Sequence, residues 1–270
     1  MADFPGSGLI SSANCAARSR GPSSLSRKTG EGLPGERSVP PGQLYGRRRA
    51  RPLRPGQRRL QEELLPRIAI ELPQSGPLDP RALFANTADE IWLEIGFGAG
   101  EHLAAQAERH PEVAFIGSEV FEDGIVRALG EIARRGLGNV RLFTEDARLL
   151  LAALPPQSLG RVFILFPDPW PKRRHHKRRL VAPATLDLLA AAMTDGAELR
   201  LATDDRDYLA WMLEHATAHP DFVWLARRAA DWRERPEDWP ATRYEEKARE
   251  AGRNPTYLAF NRRPKPRRSP

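Results

Sequence analysis

One carboxylate in this chain is framed by prolines and followed at once by a dense run of cations. Residues 166–179 read Phe-Pro-Asp-Pro-Trp-Pro-Lys-Arg-Arg-His-His-Lys-Arg-Arg, and their one acid is Asp168. Each proline fixes its own φ and restricts the residue before it, so the segment is stiff. A rigid carboxylate beside cations suits a polyanionic substrate whose reacting part donates hydrogen bonds, as a nucleic-acid base on its phosphate backbone does. The alternative is a solvated loop that leads into a helix.

A glycine-rich turn precedes this segment in the chain. Residues 94–100 read Glu-Ile-Gly-Phe-Gly-Ala-Gly, and Gly96, Gly98 and Gly100 would let the backbone approach a ligand closely. The spacing is not the G-x-G-x-x-G of dinucleotide-binding proteins. The acid Glu94 before the turn would repel phosphates but attract a cation. S-adenosylmethionine carries a sulfonium and an ammonium group and no phosphate, so the turn favours this cofactor over a purely structural role.

Further acids stand where later strands should end. Glu119 follows the second predicted strand, where doubly wound proteins grip a ribose, and Asp146 follows the third, where a carboxylate could accept from the adenine amine. Each acid alone is better explained as a helix cap or a solvated residue. The carboxyl ends of neighbouring parallel strands meet at one crevice, so these acids should converge on one pocket. Asp168, after the fourth strand, would face the methyl group of the cofactor.

Two other polar segments are candidates for substrate contact. Asp204 follows the fifth predicted strand, and a helix N-cap is the alternative there. Thr242, Arg243, Tyr244 and Glu245 supply donors, an acceptor and a stacking face within four residues, although the start of an amphipathic helix would have the same composition.

The elements that must position these residues alternate regularly from residue 90 onward. Apolar runs predict strands at 91–95, 113–119, 139–144, 161–166 and 197–203, with helices at 101–109, 123–135, 147–154, 184–193 and 207–218. Strands that alternate with helices indicate an α/β fold of Rossmann type, in which a parallel sheet carries helices on both faces. Residues 222–225 and 256–260 predict a closing pair of strands.

Charge and composition divide the chain into segments. Residues 1–43 are rich in Gly, Pro and Ser, which predicts a disordered extension, and residues 44–80 form a basic arm and linker with a short helix near 57–65. Residues 81–263 are expected to form one folded domain, followed by a basic tail at 264–270. The single cysteine, Cys15, excludes a disulfide framework and a cysteine metal site, which fits a reducing, cytoplasmic compartment. No apolar run reaches the length of a transmembrane helix.

These motifs together resemble those of bacterial tRNA (guanine-N7-)-methyltransferases of the single-subunit type, over about residues 45–263. The combination of Phe-Pro-Asp-Pro-Trp with Thr-Arg-Tyr-Glu is highly specific. The resemblance implies a class I methyltransferase sheet of seven mostly parallel strands, with the last strand antiparallel. It also implies methyl transfer from S-adenosylmethionine to N7 of a guanine in the tRNA variable loop, without a metal and with no obligate protein partner. Ser118 departs mildly from the usual pattern, and residues 1–43 match nothing in it.

The resemblance assigns roles to the residues singled out above. Asp168 is the expected catalytic residue. Cofactor contacts are expected at Glu94, Gly96, Gly98, Gly100, Glu119, Asp146 and Asp168, and substrate contacts at Lys172, Asp204, Thr242, Arg243, Tyr244 and Glu245. Contacts with tRNA are expected from Arg47, Arg48 and Arg49 in the arm and from Arg174, His175, His176, Lys177, Arg178 and Arg179.

Guanine N7 has a lone pair in the ring plane, so no proton must leave before attack. We therefore expect Asp168 mainly to position the base, by accepting from its N–H groups and offsetting the positive charge that grows on the purine. Trp170 and Tyr244 are candidates for stacking on an exposed base. Two alternatives stay open on the residues alone: methylation of another atom, such as an exocyclic or protein amine, and a non-catalytic RNA-binding protein on the same scaffold.

Overall fold

A computed structural model describes residues 52–85 and 88–264. The predictions for residues 1–43, for Arg47, Arg48 and Arg49, and for the tail after residue 264 lie outside the described residues. Of the helices in the part of the chain that the structure describes, none is long and apolar enough to cross a membrane.

The described residues form one sheet with helices between its strands. The strands are β1 (Ile91–Ile95), β2 (Ala114–Ser118), β3 (Val140–Phe143), β4 (Leu159–Leu165), β5 (Met193–Thr203), β6 (Phe222–Trp224) and β7 (Thr256–Arg262). The helices are α1 (Pro55–Glu63), α2 (Leu65–Ile68), α3 (Glu101–Arg109), α4 (Glu122–Arg135), α5 (Ala147–Ala153), α6 (Pro183–Ala192), α7 (Arg206–Ala218), α8 (Ala230–Arg233) and α9 (Arg243–Glu250), with a 3-10 helix at Arg173–Arg178.

The seven strands lie in the order β3-β2-β1-β4-β5-β7-β6. Strands β1 to β5 pair in parallel, whereas β7 inserts between β5 and β6 and is antiparallel to both. The predicted fold class is therefore confirmed, including the antiparallel last strand. Strand order reverses direction at β1, whose neighbours are β2 and β4, and a crevice opens at such a switch point.

Helices cover both faces of the sheet because the central strands alternate between two cores. In β1, Leu93 packs in the core that α5, α6 and α7 complete, whereas its neighbour Trp92 packs in the core that α3 and α4 complete. All five residues of β1 are buried, as expected for the centre of a parallel sheet covered on both sides.

Two local features differ from the sequence prediction. Helix α6 ends at Ala192 rather than Met193, and β5 begins at Met193, earlier than the predicted 197. The apolar run suits either state, and the pairing of Met193 with Leu159 of β4 decides in favour of strand. The structure also contains α8 and the 3-10 helix, which periodicity did not predict because they are short.

The predicted short helix before the domain exists as α1. It packs on α4, where the Gln61 side chain donates to the Glu122 carboxylate at 3.0 Å. Glu122 is the first residue of α4, so this contact places the described end of the basic arm beside the carboxyl edge of β2.

Candidate active site

A cleft of about 760 Å³ opens at the carboxyl edge of the sheet, around the ends of β1 and β4. A volume of this size accommodates a ligand of several hundred daltons. The predicted site residues that line it are Glu94, Gly96, Gly98, Glu119, Asp146, Asp168, Thr242, Arg243, Tyr244, Arg178 and Arg179. The convergence predicted from the ends of separate strands is therefore observed.

The glycine turn between β1 and α3 has a backbone that favours glycine. Gly96, Gly98 and Gly100 adopt φ of 75°, 55° and 75°, values that other residues rarely take. At Gly96 and Gly98 a Cβ would meet no atom within 4 Å, so both border open space in the cleft that a ligand can occupy. At Gly100 a Cβ would lie 2.5 Å from the Ala128 Cβ. Gly100 does not line the cleft, and its requirement for glycine comes from its positive φ and from the packing of α3 on α4.

Glu119 ties this turn to the end of β2. One carboxylate oxygen accepts from the Gly98 amide at 2.9 Å, and the other accepts from the amides of Val120 and Phe121 at 2.8 and 3.0 Å. Burial raises the pKa of the Glu119 carboxyl above its ordinary value, against the three amide hydrogen bonds, which lower it. The negative charge of Asp168 contributes in the same direction as burial. Both carboxylates line the cleft, and their negative charges repel each other.

Glu94 has a partner that the sequence did not reveal. His102, in the first turn of α3, contacts the Glu94 carboxylate through Nδ1 at 2.8 Å, and both side chains are buried. The imidazole also packs edge-on against the Phe163 ring at 4.8 Å. An acid before the turn and a histidine in the first turn of the following helix were the available signal, because the turn brings these two positions together.

Asp146 fills one of the roles that the sequence left open, that of a helix cap, and it also lines the cleft. It caps α5 by accepting from the Arg148 amide at 3.0 Å, and it pairs with the Arg148 guanidinium, whose Nε lies 2.9 Å away. Burial alone would raise the pKa of Asp146, but the hydrogen bonds and charge of Arg148 outweigh it and lower the pKa. Asp146 is thus a buried, ionised group at the wall of the cleft.

Asp168 sits on a strained loop that leaves β4. Phe166 and Trp170 on either side of it have φ of 51° and 47°, in the left-handed region. Each such non-glycine residue costs roughly 1–3 kcal/mol and persists only where its surroundings hold it. The Asp168 side chain is exposed in the cleft, and within residues 52–85 and 88–264 no hydrogen bond or ion pair to it is found. The loop therefore presents a carboxylate that is ready to accept from a ligand.

A further part of the cleft wall comes from the start of α9, which packs against the loop of Asp168. The Thr242 hydroxyl caps this helix by accepting from the Glu245 amide at 3.2 Å. Tyr244 is 48% exposed, with its ring 5.0 Å from that of Phe166. The Arg243 guanidinium pairs with Glu101 at 2.7 Å, so the first residue of α3 anchors this wall.

Three residues expected to contact substrate do not line the cleft. Glu245 is buried and accepts from the Tyr257 hydroxyl at 2.8 Å, so it joins α9 to β7. Asp204 pairs with Arg253 at 2.7 Å, and the cap of α7 is the next residue, Asp205. Lys172 is exposed at the start of the 3-10 helix.

The cationic strip divides into exposed and buried members. Arg174 and Lys177 are exposed, and Arg178 lies over the Trp170 ring at 4.9 Å. Burial and the neighbouring cations, Arg178 first among them, lower the pKa of His175. Arg179 differs from the predicted surface contact, because it is buried at 3% exposure and is held by protein groups.

Comparisons with known proteins find a matching family model, similar sequences and a solved structure. A family model described as "Putative methyltransferase" matches residues 88–258. The tRNA (guanine-N(7)-)-methyltransferase of Rhodospirillum rubrum is 53% identical over 85% of this chain and 91% of its own length. The enzyme of the same name from Azorhizobium caulinodans is 52% identical over 82% of this chain and 95% of its own. A solved rRNA methylase from Streptococcus thermophilus aligns with a TM-score of 0.46 and 13% identity, covering 66% of this chain and 89% of that one.

Proposed function

The chain belongs to the family of tRNA (guanine-N7-)-methyltransferases, and from this premise we propose that it methylates N7 of a guanine in the variable loop of tRNA, with S-adenosylmethionine as the methyl donor. The observation that carries the proposal is the position of Asp168. An exposed carboxylate on a strained loop lines the same cleft as the acids Glu94, Glu119 and Asp146 at the ends of the neighbouring strands. Such a site suits a cationic donor on one side and a hydrogen-bond-donating base on the other.

The residues of the first three strand ends fit the donor. The acids Glu94, Glu119 and Asp146 supply negative charge, and Gly96 and Gly98 leave room for close approach. In this proposal Glu119 accepts from the ribose hydroxyls, Asp146 from the adenine amine, and Glu94 attracts the ammonium group. When bound, the donor supplies an electrophilic methyl group, and the protein contributes its alignment.

Asp168 then acts on the acceptor base. N7 needs no deprotonation, so Asp168 accepts from N–H groups of the base and offsets the positive charge that grows on the ring. Holding two reacting groups at near-attack distance accounts for roughly 7–11 kcal/mol of barrier in favourable cases. In this proposal Thr242 and Tyr244, which line the same cleft, hold the same base, Tyr244 by stacking on it.

The remaining contacts are with the phosphate backbone. Arg174, Lys177 and Arg178 on the 3-10 helix, together with Arg47, Arg48 and Arg49 of the arm, supply positive charge for tRNA binding. His175 and His176 lie on the same helix. We assign Lys172 and Asp204 to the rim of the base site. A tRNA substrate and a single cysteine suit a reducing compartment, so we place the reaction in the cytoplasm.

One experiment separates this proposal from its alternatives. The purified chain is incubated with methyl-labelled S-adenosylmethionine and unmodified tRNA, and the digested nucleosides are analysed by mass spectrometry. The expected product is 7-methylguanosine from the variable loop. Label on another base atom would overturn the assignment of N7. Binding of tRNA without transfer, and without donor binding by calorimetry, would make the protein a non-catalytic RNA-binding protein.

A further inference from the structure

Arg179 ends the cationic run but does not share the environment of its neighbours. Its side chain is 1% exposed, whereas Arg174 and Lys177 face solvent. A guanidinium buried to this extent cannot reach the phosphates of a docked nucleic acid without leaving its site. Its contacts must therefore be explained within the protein.

Four groups hold the Arg179 guanidinium. Its Nε donates to the Pro169 carbonyl at 2.8 Å, and its Nη2 pairs with the carboxylate of Asp207 in the first turn of α7. The guanidinium carbon also lies 4.9 and 5.0 Å from the ring centres of Tyr208 and Trp211. The hydrogen bond from Arg179 lowers the pKa of Asp207. One planar side chain thus joins the loop after β4 to the start of α7.

The Pro169 carbonyl, which accepts from Arg179, lies within the loop that carries Asp168. Pro169 lies between Asp168 and Trp170, and as a proline it has no N–H, so its carbonyl is its one backbone hydrogen-bonding group. Phe166 and Trp170 both have positive φ, a conformation that persists only where surrounding contacts impose it. The hydrogen bond from Arg179 is such a contact, in the middle of the strained segment.

We propose that Arg179 is a positioning residue: by holding the Pro169 carbonyl against α7, it fixes the loop that presents Asp168 to the cleft. The inference rests on the proposed function, in which Asp168 positions the base. Lysine should not replace Arg179, because an ammonium group lacks the planar guanidinium that donates in two fixed directions while it stacks on two rings.

The test compares Arg179→Ala with Arg174→Ala, an exposed member of the same strip. For Arg179→Ala, the single-turnover rate at saturating tRNA and donor should fall roughly 10²-fold, as for other small misplacements of reacting groups. Its tRNA Kd and the salt dependence of that Kd should stay near the wild-type values. Arg174→Ala should instead weaken tRNA binding and reduce the salt slope by about one.

Chemical rescue of the variant distinguishes a positioning role of Arg179 from a general loss of structure. Added methylguanidinium should restore part of the rate of Arg179→Ala, whereas Arg179→Lys should stay slow. If Arg179→Ala instead weakens tRNA binding and flattens the salt slope while keeping its rate, Arg179 contacts phosphate and the proposal fails. If Arg179→Ala does not fold, Asp207→Asn is the second variant, because it weakens the same ion pair from its exposed partner. Its rate should fall several-fold at an unchanged tRNA Kd. An unchanged rate would overturn the proposal.

A readout that needs no methyl transfer keeps the two proposals apart. Exchange of the Phe166 amide hydrogen, which is bonded to the Ala202 carbonyl at 2.8 Å at the start of the loop, should speed up in Arg179→Ala relative to wild type, because the loop loses its anchor. If the wild type transfers no methyl group to tRNA but exchange is faster in Arg179→Ala, the proposed function is wrong, whereas Arg179 still holds the loop. If the wild type is active but exchange is unchanged in Arg179→Ala, Arg179 does not hold the loop.

Discussion

The two halves of the cleft are built in opposite ways. On the side of β1, β2 and β3, each acid already has protein partners: His102 for Glu94, three amides for Glu119 and Arg148 for Asp146. On the side of β4, the Asp168 side chain is exposed on a strained loop, and Tyr244, whose ring packs near Phe166 of that loop, is half exposed.

This difference follows from the ligands that the two halves are proposed to receive. A small donor is bound best by a rigid pocket whose acids are already oriented, since less ordering is needed on binding. A base that belongs to a large RNA must enter from solvent, so the groups that receive it have to be accessible. The first half should therefore govern donor affinity, and the second should govern turnover.

Replacing Asp168 should have the largest effect. Asp168→Ala should lower turnover by roughly 10²–10³-fold, the usual consequence of removing one stabilising group from a transition state. The Kd for the donor should change little, as measured by calorimetry, because Asp168 belongs to the other half of the cleft. Asp168→Asn is the matched control: a rate near wild type would rule out a role for the negative charge.

Replacing Glu119 should lower donor affinity more than it lowers the rate of methyl transfer. Glu119→Ala removes an acceptor for the ribose and frees three amides, and a charged hydrogen bond is worth about 1.5–3 kcal/mol. Donor affinity should therefore fall roughly 10- to 100-fold, while the single-turnover rate at saturating donor falls much less. An equal loss in both quantities would show that the two halves are not separable.

The packing behind the first half can be tested by stability alone. Gly100→Ala places a Cβ against Ala128 and should lower the free energy of unfolding by about 1–3 kcal/mol in urea denaturation. Gly136→Ala is the control, because Gly136 also has positive φ but would meet no atom within 4 Å. If both variants lose the same stability, the cost is backbone strain and not the contact of α3 with α4.

The smallest effect concerns pH. The folded-state pKa of Glu119 is raised above 4.5, chiefly by burial, so its contribution to stability is fully present below the unfolded pKa and declines as pH rises through the folded pKa. Relative to Glu119→Gln, wild type should therefore be most stable below about pH 4.5 and should lose stability as the pH rises above this value, as measured by urea denaturation at several pH values. Donor affinity should change in the opposite sense, because the ionised carboxylate is the better acceptor for ribose. A pH-independent difference between the two proteins would contradict the burial of an ionisable Glu119.

Much of the site could be inferred from local patterns because its residues lie at the ends of strands. Apolar runs located β1 to β5, and the rule for parallel sheets then required Glu94, Glu119 and Asp168 to meet at one edge. The helix-cap alternative for Asp146 was also visible in the sequence, and the structure confirms the cap, while the contact with the donor stays a prediction. The alternative cap at Asp204 was misplaced by one residue, because caps depend on backbone angles rather than on residue type.

Other features depended on contacts between distant segments. The burial of Glu245 requires Tyr257 of β7, and that of Arg179 requires Asp207 of α7. The pairing of Glu94 with His102 requires the turn between them to bend as it does. In each case the residue type allowed an exposed role as well as a buried one.

The sequence by itself determined the fold, the edge of the sheet at which the acids gather and the stiff loop of Asp168, because strand periodicity and proline geometry act over a few residues. Tertiary structure alone decided which charges face the cleft and which hold the protein together. The physical reason is that a charged side chain becomes buried only where partners from other elements compensate its desolvation, and those partners are far away in the chain.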